Sequence, residues 1–160
     1  MDTRAYSEID DRLDVLRQEL GECRLCPRRC GVNRLRGEKG FCKLDEKVRY
    51  FREIIFNGEE MELNPSHQIH FAGCNLRCEF CVVSEWNQQP WEAKEVDYDG
   101  LAKRIMERYE NGAKTLNFLG GEPSANLHGI LELLKRIEPE IKVVFNSNMY
   151  YNSIVEKLAR

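Results

Sequence analysis

Cys74, Cys78 and Cys81 crowd into FAGCNLRCEFC with the spacing Cys-x-x-x-Cys-x-x-Cys, directly after a strand-like run at residues 67–72. Four thiolates close a structural zinc or iron–sulfur site, whereas three leave one metal position open to substrate or cofactor. No cysteine follows Cys81, and the other four of the seven lie upstream. Cys23, Cys26 and Cys30 form Cys-x-x-Cys-x-x-x-Cys, and Cys42 comes after eleven intervening residues. That set suits a closed second site, and its spacing does not separate zinc from a fully ligated cluster.

Length and charge narrow the rest. A chain of 160 residues with 42% apolar and 32% charged side chains reads as globular and not disordered. A formal charge of −3 gives no electrostatic footprint for nucleic acid or an acidic membrane. Arg24, Arg28, Arg29, Arg34, Arg36, Lys39 and Lys43 do form a local basic cluster. Interleaved with the first cysteine set, they read as a solvated loop whose cations balance thiolate charge. MDTRAYSEIDDRLDVL lacks the basic-then-apolar pattern of a secretory signal, and no run approaches the ~18 apolar residues of a membrane span. The expected location is cytoplasmic, where clustered cysteines serve metal more often than disulfides.

Periodicity supplies the architecture. Ile9, Leu13, Leu16 and Leu20 recur at helical spacing, with Ser7 as the expected cap and Gly21 as the stop. Residues 48–56 suggest a strand or a hairpin turning at Asn57-Gly58. Strands at 67–72, 114–119 and 141–146 then alternate with helices at 98–111, 126–137 and 151–158. Such alternation predicts βαβ units and a parallel sheet. The expected organisation is a segment at 1–60, with helix, four-cysteine loop and hairpin, followed by an α/β core at 61–160. The three core strands end at the cysteine loop, at Gly120-Gly121-Glu122-Pro123 and at Asn146-Ser147-Asn148. In parallel α/β folds the C-terminal strand ends carry the site, so the three motifs should converge. Paired glycines allow close backbone approach, and Glu122 offers an acceptor for an ammonium group.

Phe80, one residue before Cys81, completes a Cys-x-x-x-Cys-x-aromatic-Cys pattern that resembles the signature of the radical S-adenosylmethionine (radical SAM) superfamily. Gly120, Gly121 and Glu122, one strand later, resemble that superfamily's GGE motif. CRLCPRRCGVNRLRGEKGFC, GCNLRCEFC, LNFLGGEPSANLHGILELL and VVFNSNMYY together resemble a group of relatives of pyruvate formate-lyase activating enzyme, over nearly all the chain after residue 22.

The resemblance implies the first half of a partial (β/α)6, TIM-like barrel. Arg160 falls inside the expected third helix, as in a truncated product or one completed by a second chain. It also implies a [4Fe–4S] cluster on Cys74, Cys78 and Cys81, with S-adenosylmethionine chelating the open iron through its amine and carboxylate. Reductive cleavage would then give a 5′-deoxyadenosyl radical that abstracts hydrogen from substrate. Gly120, Gly121 and Glu122 would hold the methionyl amine, Phe80 would lie near the adenine, and Asn146 and Asn148 would meet ribose or carboxylate. Packing accounts equally for Phe80, and turn formation for the asparagines. The implied partners are an electron donor such as flavodoxin or ferredoxin and a protein substrate of the glycyl-radical type, with neither membrane nor nucleic acid.

Two rivals stand beside this reading. One keeps the radical chemistry but directs it at a small molecule or nucleic acid. The other is a non-catalytic zinc or iron–sulfur module that binds RNA through its arginines. A zinc site completed by His67 or His70 is a further local alternative, although strand alternation puts those histidines on opposite faces.

Overall fold

The alternation of apolar runs becomes, in a computed structural model that describes residues 3–137, 140–153 and 155, one five-stranded sheet with helices packed on one face. Helix α1 (Thr3–Gly21) comes first, then a long loop containing one 3-10 turn (Arg34–Arg36), then strands β1 (Arg49–Phe56) and β2 (Ser66–Phe71). Short helix α2 (Ser84–Gln88), two-residue strand β3 (Lys94–Glu95) and helix α3 (Tyr98–Glu110) follow. Strand β4 (Thr115–Gly120), helix α4 (Leu127–Leu134) and strand β5 (Lys142–Phe145) complete the described order. The helix expected over 151–158 lies for the most part outside the described residues.

Strand order is β3-β1-β2-β4-β5. The pairs β2·β4 and β4·β5 are parallel, as α3 and α4 crossovers require. The three core strands are thus parallel as expected, while β1, outside that set, runs antiparallel to both β2 and β3 and makes the sheet mixed. Residues 57–65 return the chain directly from β1 to β2, and a direct return yields an antiparallel pair. Asn57-Gly58 therefore opens this connection and does not turn a hairpin inside 1–60; the expected boundary at residue 60 falls between two paired strands.

One sheet face is apolar and meets the helices. Tyr50, Ile69, Phe71, Leu116 and Phe118 pack there against Leu101 and Ile105 of α3 and Ile130 and Leu133 of α4, all buried. Helix α1 begins at Thr3, ahead of the expected cap at Ser7, and ends at Gly21 as anticipated. Its Leu13, Leu16 and Leu20 are sealed against Leu127 and Leu131 of α4. The opposite sheet face is polar. Glu59, in the β1–β2 connection, caps its lower end by accepting from Gln68 Nε2 at 2.6 Å and Asn117 Nδ2 at 2.9 Å.

A register irregularity between Tyr50 and Arg52 sets Phe51 against no partner on β2. A bulge re-aims the side chain it carries. Phe51 stacks on Trp86 of α2, with ring centroids 5.2 Å apart and planes 2° from parallel. The same irregularity keeps both Tyr50 and Glu53 on the helix-covered face, opposite Phe71 and Ile69.

Candidate metal and cofactor site

Gly73 turns the chain off the end of β2 at φ +81, and a Cβ there would lie 2.6 Å from Leu44. Only glycine accepts both the left-handed backbone and that proximity. The next residue, Cys74, is buried, and its sulfur accepts from the Leu76 N–H at 3.4 Å and from Asn148 Nδ2 at 3.8 Å. Cys81 Sγ accepts from Asn87 Nδ2 at 3.4 Å. Cys74, Cys78 and Cys81 line one cavity of about 300 Å³, together with Ser84 and Asn87.

These residues fit a metal–sulfur group. Burial pushes the Cys74 thiol pKa up, a backbone N–H from Leu76 opposes it, and Glu122, Cys81 and Cys78 push it further up. A thiol so placed ionises when a bound cation neutralises it, which is the role of iron. Among the described residues no three metal-ligating side chains close around a single ion. All three thiols line the one cavity, and sulfur ligands are the donors that iron–sulfur clusters take. Neither histidine joins them: His67 meets Glu53 at 3.2 Å on the helix side, and His70 meets Gln68 at 3.1 Å on the polar face.

The three strand ends are tied to one another by hydrogen bonds. Gly121 donates to Phe71 O at 2.7 Å and Glu122 N to Gly73 O at 2.9 Å. The paired glycines thus let the turn after β4 press against the backbone leaving β2, a close approach of chain to chain. Glu122 is fully buried, and its carboxylate accepts from Ser124 N at 2.9 Å, Ser147 Oγ at 2.7 Å and Asn148 N at 2.9 Å. Asn148 in turn donates to Asn75 Oδ1 at 2.9 Å. Cys74, Glu122 and Asn148 are therefore brought together. Asn146 is exposed and joins them only through its backbone, donating to Phe118 O at 2.9 Å. Phe80 is 87% exposed, free of the packing that would explain an aromatic there.

The four-cysteine loop leans directly on this site. Cys23, Cys26, Cys30 and Cys42 line a space of about 20 Å³ that Asn75 also walls. Phe41 is covered by the Arg28 guanidinium at 3.4 Å and the Arg77 guanidinium at 4.4 Å. Arg28 Nε donates to Asn75 O at 2.6 Å, and Arg77 Nη2 to Phe41 O at 2.6 Å. The basic cluster is thus only partly solvated. Arg34 is 1% exposed and donates to the carbonyls of Asp45 and Ala125. Sequence reasoning missed Arg34 and Asn87; a buried arginine and a cavity amide carry no local pattern that marks them.

No helix among the described residues is long and apolar enough to cross a membrane. The chain is 34% identical over 154 residues to an uncharacterized protein of Methanocaldococcus jannaschii, covering 89% of this chain and 43% of that protein. It is 32% identical over 100 residues to a 7-carboxy-7-deazaguanine synthase of Clostridium acetobutylicum, covering 59% of this chain and 42% of the other. Over 73 residues it is 33% identical to a GTP 3′,8-cyclase of Clostridium perfringens, covering 44% of this chain and 22% of that one. The chain therefore spans less than half the length of these relatives. No solved structure matches it. The family model for the radical SAM superfamily matches residues 69–160, which hold the three-cysteine loop and both strand-end turns tied to it; the chain belongs to the radical SAM superfamily.

Proposed function

We propose that this chain carries the cofactor half of a radical SAM enzyme, with a [4Fe–4S] cluster held by Cys74, Cys78 and Cys81. The observation that carries the reading is the cavity lined by all three thiols, with Glu122 and Asn148 locked against Cys74. When bound, cluster and S-adenosylmethionine supply reductive cleavage of the sulfonium and hydrogen abstraction from a substrate. The electron comes from a carrier such as flavodoxin or ferredoxin. The chain's own residues do the rest. Gly120 and Gly121 set the turn, Glu122 fixes its distance from the third strand end, and Asn148 supports the Cys74 sulfur. Glu122, fully buried with three donors on its carboxylate, braces the turn from within. Phe80, fully open to solvent, is free to fold over the adenine, and Asn146 offers an unengaged amide to the ribose. In this reading the parallel strands β2, β4 and β5 form the first half of a partial (β/α)6 barrel, with 1–60 as a metal-bearing segment and 61–160 as the core.

Anaerobic reconstitution tests the reading. The native chain should gain a cluster whose reduced electron paramagnetic resonance signal shifts when S-adenosylmethionine is added, and Cys78→Ser should lose it. A colourless native protein holding only zinc would sink the proposal.

The four-cysteine loop supports kinship with the activating-enzyme group, whose substrate would be a glycyl-radical partner. The named relatives, a deazaguanine synthase and a GTP cyclase, favour a small-molecule substrate instead. Substrate trials therefore begin with both classes. At the four-cysteine loop four thiols line one space, a complete tetrahedral ligand set, and zinc is the metal we assign. Replacing Cys23, Cys26, Cys30 and Cys42 together by serine should remove one zinc per chain from the purified protein. Retained zinc, or loss of iron from a cluster at this site, would contradict the assignment.

A further inference from the structure

We propose that Asn87 is a positioning residue of the cysteine site that acts in two directions. Its amide N–H donates to the Cys81 sulfur, and its amide oxygen accepts an N–H of the iron-chelating amine of bound S-adenosylmethionine. The inference rests on the radical SAM reading above.

Asn87 sits on α2, just beyond the cysteine loop, and is 5% exposed. Nδ2 lies 3.4 Å from Cys81 Sγ. A thiolate only accepts hydrogen bonds, so the nitrogen is the amide atom that faces the sulfur. Oδ1 is then left buried with no hydrogen-bond partner. Buried acceptors without donors are rare in folded proteins, and a ligand N–H in the cavity satisfies this one. Arg77, the cation in the cavity wall, is occupied by the carbonyls of Phe41, Cys74 and Leu76, so it does not supply that donor. Oδ1 also adjoins the double-glycine turn, since a Cβ on Gly121 would come within 2.5 Å of it.

The helix that carries Asn87 is fixed by its neighbour Trp86. Trp86 stacks on Phe51 of β1, and Trp86 O accepts from Gly73 N at 3.1 Å. A hydrogen bond to a cluster-ligating sulfur stabilises the extra negative charge of the reduced cluster and raises its potential. Asn87 thereby ties the ease of reduction to the seat of the ligand.

The test uses the full chain, reconstituted anaerobically, as native, Asn87→Leu and Asn87→Asp. Midpoint potential is read by redox titration, and S-adenosylmethionine affinity by equilibrium dialysis on the oxidised cluster. Asn87→Leu removes donor and acceptor, so the potential should fall and affinity weaken on the order of 10-fold or more. Asn87→Asp removes the donor and sets a carboxylate beside the sulfur, so the potential should fall further than in Asn87→Leu while affinity holds. Iron content and the far-ultraviolet circular dichroism spectrum establish that each variant is folded and loaded. An Asn87→Leu protein with native potential or native affinity overturns the proposal, as does Asn87→Asp weakening binding as much as Asn87→Leu. Should Asn87→Leu lose the fold, the isosteric Asn87→Asp decides alone, and an unchanged potential overturns the proposal. A native chain that builds no cluster overturns the enzyme reading and this inference together, which separates that failure from the others.

Discussion

Gly121→Ala is expected to unfold the strand-end site, with a loss on the order of 4 kcal/mol or more. A Cβ at this position would lie 2.1 Å from Gly73 O and 2.5 Å from Asn87 Oδ1. The first of these is backbone at the turn off β2 and has nowhere to go. Moving it would break the bond from Glu122 N to Gly73 O, at 2.9 Å. Glu122 would then lose its registry with Ser147 and Asn148, and the Cys74 sulfur would lose the Asn148 amide. Gly21→Ala is the control, because nothing lies within 4 Å of its missing Cβ and its backbone is not left-handed. That change should move stability by no more than about 0.5 kcal/mol. Urea unfolding followed by circular dichroism measures both. A Gly121→Ala protein as stable as native would show that the turn does not press on β2 as described.

The contrast between those glycines also shows what could be read before any fold was known. The double glycine and the three-cysteine spacing are local patterns, and strand-to-helix alternation placed them at neighbouring strand ends. The hydrogen bonds that Glu122 accepts from Ser147 Oγ and Asn148 N bear out that convergence. What no local pattern held was the use of each group. Glu122 looked like a free acceptor because a sequence does not show that the chain returns with a hydroxyl and an N–H from residues 147 and 148. Arg34 looked solvated because its partners, the carbonyls of Asp45 and Ala125, are remote or lack any side-chain signature. The antiparallel β1 was hidden for a related reason. Its pairing depends on a direct connection through residues 57–65, whose Asn57-Gly58 looks like a hairpin turn from local chemistry alone.

Glu53→Gln is expected to cost about 3 kcal/mol at neutral pH and to flatten the acid side of the stability profile. Glu53 sits on the helix-covered face of β1 with its side chain 11% exposed. It receives Arg104 Nε at 3.1 Å and Nη2 at 3.0 Å, and meets His67 Nε2 at 3.2 Å. Burial pushes its pKa up, but the His67 and Arg104 hydrogen bonds and the Arg104 charge outweigh burial and hold it down at about 2. The unfolded carboxyl titrates near 4.5. Stabilisation by Glu53 is therefore fully present above pH 4.5 and drains away as pH falls toward 2. A second window lies above it. Burial, aided by Arg52, lowers the His70 pKa from 6.5 to about 4, so the folded protein keeps this imidazole neutral where the unfolded chain protonates it. Stability should thus begin to fall below pH 6.5, well before Glu53 titrates, and continue falling to about 4. His128, lowered to about 3 chiefly by burial, adds to the same descent. Urea titrations of native, Glu53→Gln and His70→Gln proteins across this range separate the two effects, and comparison with native cancels the acid sensitivity of any bound cluster. His70→Gln should shrink the loss between pH 6.5 and 4 and leave the lower window intact, whereas Glu53→Gln should do the reverse. Parallel profiles for native and Glu53→Gln below pH 4.5 would mean that the Arg104–Glu53 pairing carries no net stability, leaving α3 held to β1 by its apolar contacts and the Arg104–Tyr50 hydrogen bond.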